Sequence, residues 1–360
     1  RGHGVLEPAI LAEELGPFDA TFHIPAFLEG GRTTENGIHY LNGIPVHTTD
    51  FGHDNIFGFS TSNLAKWIEE KSFGKIQAKN ILHVKIKQLD MAFNDEDGFE
   101  SLLKFLSKLE NNTSVVVDAK LPHHLEILAS AIKVVSKEKR FLFRTAASFI
   151  NSLSALPPNP KCTADLVSLK SKNNEYKYKP GLIIVGSHVK LATDQLKVLL
   201  IDNCCKGLEI PVSKLANIFA LEDRQQAILE IEYTLLSKID DILDLEKVPV
   251  LYTSREEMKF SSYSERMTFG LELAEFMSIL VRKITNKLGY IISKGGITTQ
   301  ILLQKGLNFN YVNLKGQILP GLSIVTGDSD QYNLPVVTFP GNLGNEKTLL
   351  EVLKLMDSIA

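Results

Sequence analysis

The amino-acid sequence predicts an α/β protein of two domains, each with a mostly parallel sheet flanked by helices, and with a cleft between them. The chain has 360 residues, which exceeds the ~250–300 residues at which a single hydrophobic core usually stops growing. Short apolar runs alternate with longer stretches of helical periodicity, and this alternation is typical of βαβ units. Both observations favour two domains over one.

Four short apolar runs in the first half are predicted strands, at residues 20–24, 81–86, 114–118 and 140–144. The stretches of helical periodicity between them predict helices at 63–71, 99–109 and 124–135. One segment breaks the alternation, because residues 38–41 and 44–47 flank Asn42-Gly43. That pair is typical of a two-residue type I′ turn, so a small β-hairpin is predicted there.

The composition changes between residues 152 and 180. The run Pro157-Pro158-Asn159-Pro160 and the polar stretch 168–179 interrupt the periodicity, as a linker or a surface excursion would. We therefore predict a first domain at 1–155, a linker at 156–180 and a second domain at 181–360. The second domain is predicted to contain strands near 181–185, 248–252, 289–292, 322–325 and 336–339, and helices at 193–203, 224–243, 264–288 and 347–358.

Charge and cysteine content argue against several classes of protein. A net charge of -3 and a pI near 6.4 provide no basic stripe, so nucleic acid is not an expected partner. The three cysteines, Cys162, Cys204 and Cys205, form no disulfide framework and no metal-ligand spacing, which favours a reducing cytoplasm. No apolar run reaches the ~18–20 residues of a membrane helix. Because the chain opens at Arg1 without a methionine, we expect a segment upstream.

Three glycine-bearing turns directly follow apolar strands in the second half. They are Gly186-Ser187, Gly295-Gly296-Ile297-Thr298 and Gly341-Asn342-Leu343-Gly344. Open α/β sheets bind ligands beyond the carboxyl ends of their strands, and glycine allows close approach to a phosphate. We expect Thr298 to cap the following helix while its hydroxyl faces a ligand. The alternative is that these glycines serve turn geometry alone. The spacings of a P-loop and of a G-x-G-x-x-G turn are both absent.

Candidate anion ligands in the first half lie after its predicted strands. Arg32, beside Gly30-Gly31, could form a bidentate pair with a carboxylate, or it could be a solvated side chain. Asp118 ends a strand, where it could hold a sugar hydroxyl or cap a helix. Arg144 ends another strand at the equivalent position. Five of the nine histidines lie between His3 and His53 without metal-site spacing, so we predict no metal ligands and expect structural or solvated histidines.

Taken in order, these motifs resemble those of the four-carbon acid sugar kinase family. The segment from Pro25-Ala26-Phe27 to Gly31-Arg32-Thr33, followed by 42–46, resembles the substrate-domain signature of that family. The second half has motifs similar to those of its nucleotide-binding domain, in the expected order: Gly186-Ser187, Gly295-Gly296 with Thr298, Pro320-Gly321, and Gly341-Asn342 with Gly344. The resemblance covers nearly the whole chain.

The resemblance implies an ATP-dependent kinase that phosphorylates a terminal hydroxyl of a four-carbon sugar acid such as threonate or erythronate. The resemblance also implies that ATP binds together with Mg²⁺ and that the protein is cytoplasmic. A homodimer would be compatible with the resemblance. The implied sugar-acid ligands are Arg1, Arg32, Asp118 and Arg144. The implied nucleotide ligands are Gly186, Ser187, Gly295, Gly296, Thr298, Gly321, Gly341, Asn342 and Gly344. The catalytic base is not assigned, because the resemblance implies that the first strand of the family would lie upstream of Arg1.

Two departures from the family pattern bear on activity. Ile297 stands where the family usually has an acidic residue, and Phe339-Pro340 stand where a lysine and a small residue often occur. Loss of a carboxylate and a lysine near the phosphates would change, slow or abolish the reaction. The alternative to a kinase is therefore a non-catalytic relative that binds or senses a small anionic metabolite or nucleotide.

Overall fold

The computed structural model of the chain describes residues 3–53, 57–155, 163–255, 258–327 and 334–357. It divides into two compact units, Arg1–Pro158 and Asn159–Ala360, and the fold class is α/β as predicted. Arg1 lies outside the described residues. The described residues contain no helix that is both long enough and apolar enough to cross a membrane.

The first unit begins with a helix and continues as alternating strands and helices. Its elements are α1 (Leu6–Leu15), β1 (Ala20–Ile24), β2 (Arg32–Glu35), β3 (Ile38–Leu41), β4 (Ile44–Pro45), α2 (Leu64–Lys71), β5 (Leu82–Val84), α3 (Ile86–Asn94), α4 (Glu96–Ser107), β6 (Thr113–Val117), α5 (Pro122–Val135), β7 (Phe141–Thr145) and α6 (Ala147–Ser154).

Four strands of the first unit form a parallel sheet in the order β5-β6-β1-β7. Alternate side chains of β1 face opposite sides of the sheet, so Phe22 and Ile24 enter the main core with α3, α4, α5 and α6. The other face is covered in part by α2, whose Leu64 and Ile68 pack on Val116. Asn63 starts α2 by accepting the Lys66 N–H at 3.0 Å, as an N-cap residue does.

The remaining strands of this unit form a small antiparallel sheet in the order β2-β3-β4. Its turns are Asn36-Gly37 and Asn42-Gly43, and all four residues have φ between 50° and 80°. This left-handed backbone is what a type I′ turn requires and explains the Asn-Gly pairs. The predicted hairpin at Asn42-Gly43 is confirmed. Its second strand ends at Pro45, however, because residues 46–48 form a 3₁₀ turn, and β2 was not predicted.

The second unit alternates strands and helices more regularly. Its elements are α7 (Thr163–Val167), β8 (Gly181–Val185), α8 (Lys190–Ile201), β9 (Cys205–Ile210), α9 (Val212–Phe219), α10 (Gln225–Asp244), β10 (Val248–Thr253), α11 (Tyr263–Ile284), β11 (Tyr290–Lys294), α12 (Gly296–Ile301), β12 (Asn313–Leu319), β13 (Leu322–Thr326), β14 (Val336–Phe339) and α13 (Thr348–Asp357).

Its seven-stranded sheet has the order β12-β13-β14-β11-β8-β10-β9. The five strands from β14 to β9 are parallel, and β12 and β13 are antiparallel to their neighbours. Both faces are covered, because Ile184 and Ile291 pack against α9, α10 and α11, whereas Ile183 and Ile292 pack against α7, α8 and α13. Burial on two sides explains the continuous apolar runs from which these strands were predicted.

Sequence and structure differ at β9, β12 and the predicted linker. In β9, at the sheet edge, exposed residues separate the buried Cys205, Leu208 and Ile210, so no continuous apolar run marks the strand. The described residues from 163 to 180, which the sequence marks as a linker or surface excursion, take part in the packing of the second unit. Leu166 and Val167 are buried in its core, and Lys170 donates to the Met356 carbonyl oxygen at 2.6 Å.

Candidate functional site

In the second unit, three glycine turns lie side by side at one edge of the sheet. They follow β8, β11 and β14, which are adjacent parallel strands. The Gly186 N–H donates to the Lys294 carbonyl oxygen at 3.2 Å, and the Gly295 N–H donates to the Phe339 carbonyl oxygen at 2.9 Å. The predicted grouping of Gly186, Gly295 and Gly341 is therefore a feature of the fold, at the strand ends where open α/β sheets bind ligands.

Packing alone requires glycine at some of these positions. A Cβ atom on Gly341 would overlap the Ser187 hydroxyl, and one on Gly186 would overlap the Thr298 hydroxyl. Gly295 has a φ of +125°, a backbone conformation that side chains with a Cβ rarely adopt. Gly296 is different, because a Cβ there would meet nothing within 4 Å. The space in front of Gly296 is open, so turn geometry does not explain that glycine.

Thr298 occupies a different place from the one predicted. Gly295 is at the N-cap position of α12, and no side chain caps the helix. Thr298 is the third residue of α12 and is 8% exposed, and its hydroxyl packs against Gly186. Thr299 anchors the turn instead, because its hydroxyl donates to the Ser293 carbonyl oxygen at 3.1 Å. The predicted helix cap at Thr298 is therefore wrong.

The peptide groups of these turns present N–H groups without intramolecular acceptors. Among the described residues, the N–H groups of Ser187, Gly296 and Gly341 donate to no protein acceptor. Two neighbouring carbonyls are engaged instead. The Ser187 carbonyl oxygen accepts from Arg255 Nη1 at 2.5 Å, and the Pro340 carbonyl oxygen accepts from Lys294 Nζ at 3.2 Å. Free N–H groups beside engaged carbonyls are the arrangement that binds an anion.

Sequence reasoning missed both cations. Burial lowers the pKa of Lys294 to about 7, and burial is also the main cause that lowers the pKa of Arg255. Arg255 Nε and Nη2 have no hydrogen-bond partner among the described residues. Lys294 is the last residue of β11, and Arg255 follows the end of β10 by two residues. A charged residue at the end of a predicted apolar strand was the sequence signal that could have indicated either cation.

The remaining predicted nucleotide ligands lie at the same edge. Gly321 is in the turn between β12 and β13, and β13 runs antiparallel so that Ser323 pairs with Thr338. The loop that contains Asn342 and Gly344 is held by Gln195 of α8. Its Nε2 donates to the Leu343 and Asn345 carbonyl oxygens at 3.0 and 2.6 Å.

In the first unit, Asp118 has a structural role that the sequence did not indicate. Its two carboxylate oxygens accept the N–H groups of Asn36 and Gly37, each at 2.9 Å. His83 Nε2 also lies 2.9 Å from Oδ1, and the side chain is 1% exposed. Asp118 therefore holds the first turn of the small sheet and caps no helix. A contact with a sugar hydroxyl stays a prediction.

Arg32 lies on β2 beside aromatic rings. Its guanidinium carbon is 4.9 Å from the ring centre of Phe51 and 5.9 Å from that of Phe27, distances at which cation–π attraction operates. Such stacking orients the guanidinium group, so the solvated arginine of the alternative interpretation does not describe it. The predicted contact with a carboxylate ligand stays a prediction.

Arg144 is the register partner of His23 in the parallel sheet. Its Nε lies 3.4 Å from Glu7 Oε2. Burial, together with the charge of Arg144, lowers the pKa of His23 to about 4. Ser148, just after the same strand, donates to the Glu29 carboxylate and accepts the Leu28 N–H at 3.0 Å. These polar groups lie around the carboxyl ends of β1 and β7, and Ser148 and Glu29 were not predicted.

One cluster in the described residues has the composition of a metal site. His123 and His124 place Nε2 at 3.1 and 3.0 Å from Asp90 Oδ1. His124 Nδ1, however, accepts the N–H groups of Lys120 and Leu121 at 3.0 and 3.3 Å. A neutral imidazole that accepts at Nδ1 carries its proton at Nε2, so His124 donates to Asp90 and has no lone pair for a metal. The cluster is a cap at the start of α5.

Two protein-family models match the chain. A sugar-binding N-terminal domain matches residues 1–153, and a nucleotide-binding C-terminal domain matches residues 182–349. Among curated proteins, no significant sequence match was found.

Solved structures share the fold at low sequence identity. A Salmonella typhimurium LT2 protein, named as a candidate tRNA synthase, matches with a TM-score of 0.62 and 16% identity over 96% of this chain and 75% of that one. A Haemophilus influenzae protein of the DUF1537 family matches with a TM-score of 0.53 and 19% identity over 98% and 77%. Identities this low show the fold alone.

Proposed function

Because the chain belongs to the four-carbon acid sugar kinase family, with its sugar-binding N-terminal and nucleotide-binding C-terminal domains, we propose that it is an ATP-dependent kinase. Its substrate would be a four-carbon sugar acid, which receives the γ-phosphoryl group on its terminal hydroxyl. In the reaction the hydroxyl oxygen bonds to the γ-phosphorus, the bond from that phosphorus to the bridging oxygen breaks, and ADP leaves. The hydroxyl proton passes to a base that remains to be assigned.

The observation that carries the nucleotide assignment is the set of free N–H groups at Ser187, Gly296 and Gly341. Phosphoryl transfer depends mainly on positioning and on neutralisation of charge, and backbone N–H groups with nearby cations supply both. The open space at Gly296 leaves room for a phosphate chain. Mg²⁺ would arrive on the nucleotide, whose phosphate oxygens are ligands that it prefers.

The sugar acid is assigned to the first unit on the family match and on its arginines. Arg32 is oriented by aromatic rings, and a guanidinium group pairs with a carboxylate through two parallel hydrogen bonds. Arg144 is the second candidate for the acid group of the substrate.

The first test is calorimetric titration of the chain with Mg-ATP. We expect saturable binding that Gly296→Val weakens at least tenfold, because its side chain would fill the open space in front of the turn. Gly270→Val is the matched control, since Gly270 is exposed on α11 and a Cβ atom there would likewise meet nothing within 4 Å. Equal affinity of the wild type and Gly296→Val would place the nucleotide elsewhere.

A second test addresses the reaction itself. The full-length protein is incubated with Mg-ATP and threonate or erythronate, and phosphorylated product is measured. Absence of turnover together with ATP binding would favour the non-catalytic alternative. One observation supports that alternative: Ile297 is 43% exposed at the turn, so no carboxylate is available at that position.

A further inference from the structure

Lys294 is a buried ionisable side chain that the proposed function counts only as one of the cations near the glycine turns. It ends β11, is 0% exposed, and directly precedes Gly295. Its ammonium group donates to the Pro340 carbonyl oxygen at 3.2 Å and lies 3.9 Å from the centre of the Phe339 ring. Among the described residues, no carboxylate forms an ion pair with it. A buried charge without a counter-charge is costly, so a bound anion would stabilise this site.

The elements around Lys294 do not supply that counter-charge. The strands β8 and β14, which pair with β11, and the helix α12 contain no ionisable side chain. The ionisable groups of the helices on the same face and of the neighbouring turns include Asp165, Lys190, Asp194, Lys197, Glu346, Lys347, Glu351, Lys354, Asp357, His188 and Arg255. None of them offsets the effect of burial, which lowers the pKa of Lys294 to about 7.

The hydrogen bond to Pro340 also orients the turn. In a trans peptide group the carbonyl and the N–H point in opposite directions. Because the Pro340 carbonyl points at Lys294 in the interior, the Gly341 N–H points away from it. That N–H has no acceptor among the described residues. The turn therefore has a free N–H donor, that of Gly341, on one side, and the Pro340 carbonyl oxygen accepts from the Lys294 ammonium group on the other side.

We propose that Lys294 is a positioning residue for the nucleotide phosphates: it holds the Pro340 carbonyl so that the Gly341 N–H faces the phosphate, and its charge stabilises the bound anion. The inference rests on the proposed function, since it takes nucleotide binding at these turns as its premise. Lys294 is the register partner of Phe339, the position at which the family often has a lysine. Lys294 on the neighbouring strand β11 would thus supply the positive charge that Phe339 lacks.

The proposal predicts that nucleotide binding takes up a proton. A phosphate at the Gly341 N–H would act on the Lys294 charge across the turn, favour its ammonium form and so raise its pKa in the complex. At pH 8 the side chain is mostly neutral in the free protein, because burial lowers its pKa to about 7, and it becomes protonated on binding. Affinity for Mg-ATP should therefore fall as pH rises above 7, by up to about tenfold per pH unit.

The experiment is calorimetry with Mg-ATP at pH 8 in two buffers of different ionisation enthalpy. At this pH, histidines with ordinary pKa values are neutral and nucleotide phosphates are fully ionised. The difference in heat between the buffers should correspond to an uptake of about 0.5 to 1 proton. We expect Lys294→Met to bind at least fivefold more weakly with no uptake. Lys294→Arg, which stays charged, should bind without uptake, and the exposed-lysine control Lys197→Met should behave as the wild type.

The outcomes separate this inference from the proposed function. Binding by the wild type without proton uptake, and with an affinity that is constant from pH 7 to 9, would overturn the role of Lys294 and leave nucleotide binding in place. Absence of binding at every pH would overturn the proposed function and this inference with it. Should Lys294→Met fail to fold, the two-buffer measurement on the wild type decides alone, because it needs no substitution.

Discussion

Lys294 and Phe339 are register partners on the adjacent parallel strands β11 and β14, and the Lys294 ammonium nitrogen lies 3.9 Å from the centre of the Phe339 ring. A desolvated cation–π contact contributes roughly 2 kcal/mol, which offsets part of the cost of burying the ammonium group. The phenylalanine and the lysine therefore form one unit. We therefore expect the departure from the family pattern at position 339 to be coupled to the residue at position 294.

This coupling predicts the effect of placing the family's lysine at position 339. In Phe339→Lys, two ammonium groups would share a buried site, and we expect the free energy of unfolding to fall by about 3 to 5 kcal/mol. In the double variant Lys294→Met with Phe339→Lys, one of the two charges is removed. At least half of the lost free energy of unfolding should then be recovered. Urea unfolding of both single variants and the double variant measures the coupling. Additive effects would show that the two positions are independent.

Asp118 should matter first for the stability of the first unit. In Asp118→Asn an amide NH₂ group replaces one carboxylate oxygen and faces a backbone N–H of the turn, so one buried donor loses its acceptor. We expect a loss of about 2 to 3 kcal/mol in the free energy of unfolding. Trp67 is the only tryptophan of the sequence and lies in the first unit, so its fluorescence during urea unfolding reports the change. Glu126→Gln, at an exposed position of α5, is the control, and equal stability of the two variants would contradict the structural role.

Two buried histidines should make the first unit sensitive to acid. Burial is the main cause that lowers the pKa values of His23 and His39 to about 4, whereas an unfolded histidine titrates near 6.5. Between pH 6.5 and 4 the unfolded chain binds protons that the folded chain does not. Stability should therefore be independent of these groups above pH 6.5 and fall below it, by up to about 1.4 kcal/mol per pH unit for each histidine.

The measurement for this acid sensitivity is urea unfolding followed by Trp67 fluorescence at several pH values. His23→Leu should remove the contribution of one histidine to the slope, and His53→Gln, at an exposed position, should leave the slope unchanged. If the free energy of unfolding changes with pH equally in His23→Leu and in the wild type, His23 takes up its proton at the same pH in the folded and in the unfolded chain.

Zinc should not stabilise the cluster of Asp90, His123 and His124. His124 carries its proton at Nε2, so a metal would have to displace that proton and break the cap at the start of α5. We expect the melting temperature to be unchanged by Zn²⁺ at concentrations up to about 100-fold above the protein, since no site gains binding energy. A saturable rise in melting temperature that is lost in Asp90→Asn would show that the cluster binds metal.

The sequence by itself determined the fold class, most strands of both units and the three glycine turns. These features depend on local patterns: apolar runs for strands buried on both faces, Asn-Gly for type I′ turns, and glycine where strands end. The order of the motifs was sufficient to indicate the family. The edge strands β9 and β12 were missed because exposed residues interrupt their apolar pattern, and β2 was missed because its residues are mostly polar.

Only the tertiary structure decided what the individual side chains do. Asp118 holds a turn that lies 81 residues earlier in the chain, and Lys294 reaches a carbonyl 46 residues away. Thr298 packs on Gly186 instead of capping its own helix. Such roles depend on which strands become neighbours in a sheet, and that pairing is set by packing over long sequence separations. A local pattern contains no information on those contacts, which is why the buried cation of the nucleotide-binding unit became visible only in the folded chain.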